Sequence, residues 1–202
     1  MNIQPLLEKS MQDHDHLCPR QILGVRIGLA GMNAVGFTEP PARKQLLVIS
    51  ETDGCFVDGV TAATGCTVGH RTLRVEDYGK VAVTCVNVNT AYAVRVAPRL
   101  DVRERTSAFL PQESRPYFAQ LHAYQTMPDE EMLTLQEVVL NTTIKEIVSQ
   151  PGMRVQCVRC GEEIMNEREV RSNGFSLCAS CAGLGYYQPS LQQHLMGCDQ
   201  SN

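Results

Sequence analysis

The chain has 202 residues, 43% of them hydrophobic and 20% charged, which excludes a disordered or fibrous protein and leaves room for one full domain plus a small appendage. Its formal net charge of −4 and sequence pI near 5.7 give no general attraction to nucleic acid or anionic membranes. No apolar run is long enough to span a bilayer, and MNIQPLLEKSMQDHD lacks the basic start and continuous apolar centre of a signal peptide, so a cytoplasmic protein is expected.

Residues 3 to 11 read as a short helix. A longer helix is expected from Pro19, a good first helical residue, to a stop at Gly36. Gly24, Gly28 and Gly31 cost helix propensity but admit another backbone, so this helix is expected to pack tightly, in the core or at a dimer contact. QLLVIS, 45 to 50, reads as a buried strand, and CFVDGVTAATG as a helix ended by Gly65. RTLRVEDYGKVAVTCVNV reads as a β-hairpin over the turn at Asp77 to Gly79, and AYAVRV, 91 to 96, as a further strand. From Pro111 to Gln150 the pattern is mostly helical, although LTLQEVVL fits a strand as well. The composition changes at QPGMRV, so Gln150 to Val155 is the expected linker. The organisation expected is α+β: a first domain over 1–150 with a mixed sheet and packed helices, a zinc-ribbon or treble-clef-like module over 155–185, and a polar tail over 186–202.

Nine cysteines are many for a reducing compartment, and an odd count argues against a disulfide framework. Cys157-x2-Cys160 and Cys178-x2-Cys181, with seventeen residues between the pairs, fit a four-thiolate structural Zn2+ site. Such a small module has little core, so the metal would supply much of its folding free energy. Between 151 and 183, Arg154, Arg159, Arg168 and Arg171 are cancelled by Glu162, Glu163, Glu167 and Glu169, and protein contact is a better reading than nucleic-acid binding.

In DHDHLCP, residues 13 to 19, His14, His16 and Cys18 alternate and would share one side of an extended segment. Cys55 stands at an expected helix start, where the helix dipole favours thiolate, with Asp58 one turn along. These are suitable transition-metal ligands. They read equally as exposed turn histidines beside small buried cysteines. TGCTVG, 64 to 69, reads either as an anion-cradling turn or as a helix stop. Lys80 and the group Arg95, Arg99, Arg103 and Arg105 read by default as solvated. Cys85 reads as core, while His122, His194 and Cys198 lack supporting neighbours.

HDHLCPRQILGVRIG, ETDGCFVDGVTAATGCTVG and EDYGKVAV, followed by a four-cysteine module, together closely resemble the FmdE-like family of formylmethanofuran dehydrogenase proteins over roughly residues 10 to 183. The family usually has glycine where Asp15 and Arg20 stand here; neither change removes a ligand, but Arg20 brings a bulky charge near the site. The resemblance implies a pocket in which His14, His16, Cys18 and Cys55 hold a second transition metal, zinc by its donor set. Cys55, Asp58 and Lys80 become catalytic candidates, and Cys66 and Thr67 candidates for supporting a cofactor. It implies a homodimer and a molybdenum- or tungsten-containing enzyme as partner, in the metabolism of a formylated C1 carrier in methanogenesis. Three roles stay open: a metal-binding accessory protein, a stand-alone enzyme using Cys55 or a metal-bound water on a small acyl substrate, and a zinc-ribbon interaction protein or regulator.

Overall fold

The computed structural model describes residues 3–12, 14–42, 44–144, 147 and 152–188. His194, Cys198, all but the first three residues of the expected tail and the first two residues of the expected linker therefore lie outside the described residues. The chain divides into two compact units, Met1–Ile144 and Lys145–Asn202.

The first unit begins with α1 (Gln4–Ser10) and α2 (Pro19–Ala34), then β1 (Leu46–Ser50), α3 (Cys55–Thr64) and β2 (Leu73–Val75). It continues with β3 (Val83–Asn87), β4 (Ala93–Pro98), α4 (Val102–Phe109), α5 (Pro116–Thr126), α6 (Asp129–Met132) and β5 (Leu133–Val138). The strands form one mixed sheet in the order β2-β1-β3-β4-β5. Only β1 and β2 run parallel, joined through α3, and the remaining pairs are antiparallel.

One expectation about pairing changes. Residues 71–88 do not form a hairpin, because β2 and β3 lie on opposite sides of β1. The turn is present, with the Gly79 N–H donating to Asp77 Oδ1 at 3.0 Å, but the segment wraps the end of β1. Tyr78 and Lys80 both donate to the Glu51 carbonyl, and Glu51 donates to that of Ala82. Alternation specifies strands but not their partners. The first six residues of LTLQEVVL resolve as a strand, and β5 is an edge pairing Leu135 with Val96.

The glycines of α2 face the core of their own chain. At Gly24 a Cβ would stand 2.1 Å from the Phe56 carbonyl oxygen, and at Gly59 one would stand 2.2 Å from that of Gln21. The α2 and α3 backbones are therefore in direct contact, which only glycine permits. Around this seam Ile22, Val25, Phe56 and Val60 are fully buried, and Gly31 brings α2 onto Cys85 of the sheet. Arg26 fastens the other side of α2, donating to the carbonyls of Tyr124 at 2.9 Å and Met127 at 2.7 Å, which the end of α5 leaves without helical partners.

Among the described residues the second unit holds two small hairpins, β6 (Arg154–Gln156) with β7 (Glu163–Met165) and β8 (Val170–Ser172) with β9 (Phe175–Leu177). Among the described residues Ile147 and Ile164 are its buried aliphatic side chains, while Val158, Phe175, Leu184 and Tyr186 are exposed. So little apolar burial does not hold such a module together.

Candidate metal centres and a thiol pair

In the second unit Cys157 and Cys160 lie in the turn between β6 and β7, and Cys178 and Cys181 follow β9. The four Sγ atoms all lie within 4.8 Å of one another. Tetrahedral zinc with bonds of about 2.3 Å would set sulfur–sulfur distances near 3.8 Å. The Cys160–Cys178 separation is 3.9 Å, so the donor set fits that ion. Backbone amides already point at the sulfurs: Cys178 N–H donates to Cys157 Sγ at 3.3 Å and Cys181 N–H to Cys178 Sγ at 3.4 Å. Such amide donation pulls the Cys157 thiol down to about 6. Crowding by the Cys178 thiol, with burial, pushes Cys181 up to about 12. Four sulfurs this close cannot all ionise unless a cation joins them, and Zn2+ is the ion their chemistry calls for. Among the described residues this is the only set of three or more ligand atoms drawn so closely together.

The first unit holds a smaller cluster, built by the starts of two helices. Cys18 is the N-cap of α2 and Cys55 opens α3, and their sulfurs are 3.2 Å apart. Gly54 precedes Cys55 at φ 71° and ψ −160°, a conformation closed to residues with a Cβ, and so aims the first turn of α3. Gln21, fully buried, fixes the other thiol: its Oε1 accepts the Cys18 N–H at 2.8 Å, and its Nε2 donates to the Ser10 carbonyl at 2.8 Å. Sequence reasoning passed over Gln21, although its place three residues after a helix cap is the capping-box signature.

Asp58, one turn beyond Cys55, lies 2.8 Å from His14 Nε2. His14, Cys18, Cys55 and Asp58 thus meet as two contacting pairs on the first turn of α3, while His16 is exposed. The helix start does not produce the expected thiolate at Cys55. Burial first, then the neighbouring Cys18 thiol, pushes it up to about 11, and the Arg20 charge offsets this only in part.

Cys66 and Thr67 belong elsewhere. They follow the far end of α3, and ten helical residues separate them from Cys55 by about 15 Å. Cys66 is buried beside a cavity of about 250 Å3, and Thr67 Oγ1 lies 3.0 Å from His70 Nδ1. Lys80 lines a cavity of about 690 Å3 together with Arg20, Arg95, Arg99 and Arg103. Of the arginine group read as solvated, Arg103 is exposed while Arg95 and Arg99 are half-buried, and all three line this one cavity. These residues come from β4, the following turn and α4, and no local periodicity relates them.

An α+β domain with paired helix-start thiols, followed by a four-cysteine zinc module, is the class of protein that these features define. The family model described as "FmdE, Molybdenum formylmethanofuran dehydrogenase operon" matches residues 13–151, and one described as "Prokaryotic dksA/traR C4-type zinc finger" matches residues 153–184. The chain belongs to the FmdE family. A "Probable S-adenosyl-L-methionine-binding protein" of Archaeoglobus fulgidus is 30% identical over 203 residues, covering 90% of this chain and 53% of the relative. The chain thus spans about half the length of that curated relative. The crystal structure of a tungsten formylmethanofuran dehydrogenase FmdE-like protein from Syntrophus aciditrophicus shares the fold, with TM-score 0.59 and 24% identity over 92% of this chain and 94% of that one.

Proposed function

We propose that this metal-binding FmdE-like protein holds a second transition metal, zinc by preference, at the thiol pair, and serves as an accessory protein in formyl-carrier metabolism. The observation that carries the reading is the 3.2 Å approach of Cys18 and Cys55 at the starts of two helices. Two thiols are half of a tetrahedral donor set, and His14 and His16 are the imidazoles nearest in sequence. The His14–Asp58 contact supports ligand duty, because a metal-bound imidazole commonly gives its other nitrogen to a carboxylate. When bound, the metal would act as a Lewis acid or be passed on. Asp58 would orient His14, and Gln21 would hold the backbone of Cys18.

A stand-alone enzyme with Cys55 as nucleophile is less well supported, since a thiol pushed up to about 11 stays protonated at neutral pH. A molybdenum- or tungsten-containing formylmethanofuran dehydrogenase is the partner suggested by the family description, and with it a role beside methanogenic C1 chemistry. A homodimer would need a surface other than the α2 glycines, which the chain uses internally. The name of the Archaeoglobus fulgidus relative suggests S-adenosyl-L-methionine, but the cationic lining of the larger cavity opposes a sulfonium group.

The test is cobalt titration of full-length protein already carrying its C-terminal zinc. A second equivalent with thiolate-to-cobalt absorption is expected, and it should be lost in Cys18→Ser/Cys55→Ser. An unchanged second equivalent in that variant, or none in the parent, refutes the metal site. Turnover of a formyl substrate by the metal-loaded chain alone would favour the enzyme over the accessory role.

A further inference from the structure

The cavity of about 690 Å3 in the first unit is lined by five cationic side chains, Arg20, Lys80, Arg95, Arg99 and Arg103, and, among the described residues, by no carboxylate. Its volume is that of a small-molecule site. Two of the five cations are already engaged. Arg95 makes a two-pronged contact with Glu51, through Nε at 2.5 Å and Nη2 at 2.7 Å. Arg99 Nε lies 3.4 Å from Asp101, yet that nitrogen is buried and lacks a hydrogen-bond acceptor among the described residues. Arg20, Lys80 and Arg103 are exposed and have no ion-pair partner among the described residues. Three unpaired cations facing one concavity repel one another, and a buried guanidinium donor is left unsatisfied. Both costs are removed by an anion that brings oxygen acceptors. Between the charges lie Leu23, Val81 and Val102, so the lining also offers apolar contact to an organic body.

We propose that this cavity binds an organic polyanion, a small molecule whose carboxylate or phosphate groups are taken by Arg20, Lys80, Arg99 and Arg103. Arg20 joins this site to the thiol pair: it stands two residues after Cys18, and its charge acts on Cys55. Binding of the anion does not require a metal at those sulfurs, so the two ideas stand or fall separately.

Isothermal titration calorimetry of the full chain, with only its C-terminal zinc bound, tests the site using citrate as the carboxylate probe and ADP as the phosphate probe. Saturable binding of at least one probe is expected, weakening with added salt, and the tighter of the two identifies the anionic group recognised. Arg103→Gln and Lys80→Gln should each weaken it by about tenfold or more, as expected on loss of a charge-assisted contact. Arg74→Gln, a change on β2 away from the lining, should leave it unaltered. Arg103 and Lys80 are exposed, so the variants should keep the parental unfolding midpoint. Equal affinity in parent and cavity variants overturns the proposal, as does failure of both probes to bind up to about 10 mM.

Discussion

Gly59→Ala sets helix propensity against packing at the seam that also builds the thiol pair. In an exposed helix the change would stabilise by about 1 kcal/mol. Here the added Cβ meets the Gln21 carbonyl oxygen at 2.2 Å, the Val25 nitrogen at 2.8 Å and the Gly24 Cα at 3.0 Å. All three are backbone atoms of α2 and cannot rotate aside, so the two helices must part by about 1 Å to reach ordinary contact. Overpacking of this kind costs about 3 kcal/mol at the upper end of its usual range, leaving a net loss of about 2 kcal/mol. In a chain of this size that lowers the thermal midpoint by about 4–8 °C. Parting α2 from α3 also spreads Cys18 and Cys55, so the second cobalt equivalent should weaken in the same variant. Thermal unfolding followed by far-UV circular dichroism measures the first effect, with Gly69→Ala as the control because its Cβ would meet nothing within 4 Å. Gly24→Ala should behave alike, and the double variant should lose less than the two single losses together, since one separation relieves both clashes. A Gly59→Ala midpoint at or above that of the parent would show that the helices are not in backbone contact.

Metal analysis of Cys157→Ser/Cys160→Ser should show loss of the tightly held zinc and, with it, increased proteolysis of residues 152–188; retention of that zinc would remove the assignment. In protein lacking a first-domain metal, alkylation of Cys55, followed by mass spectrometry, should rise with pH through about 11 rather than the ordinary 9.0. The sign follows from the raised value. The Cys55 contribution to stability is fully present below 9.0 and is lost as pH climbs through about 11, because the unfolded chain ionises first. Half-maximal modification below pH 9.0 would refute the burial argument.

Sequence by itself determined most of the elements between residues 3 and 98 and the zinc module. Pro19 and Gly65 mark helix boundaries through local backbone preference, and CxxC pairs at this spacing are the pattern that brings four sulfurs together. The thiol pair was legible in part. The motif around Cys18 and the helix start at Cys55 could each be read locally, but their 3.2 Å approach depends on Gly24 and Gly59 letting two helices touch. Only the tertiary structure decided the rest. Strand partners followed from how the chain between β2 and β3 wraps β1, and alternation says nothing about which edge a strand joins. Cys66 and Thr67 fell at the wrong end of α3 for a shared site, since closeness in sequence becomes about 15 Å along a helix. Conversely, Arg20, Lys80, Arg99 and Arg103 converge on one cavity from segments that local pattern could not relate. Charge in the sequence fixes how many cations the chain carries; only the fold decides which of them face one another without a counter-ion.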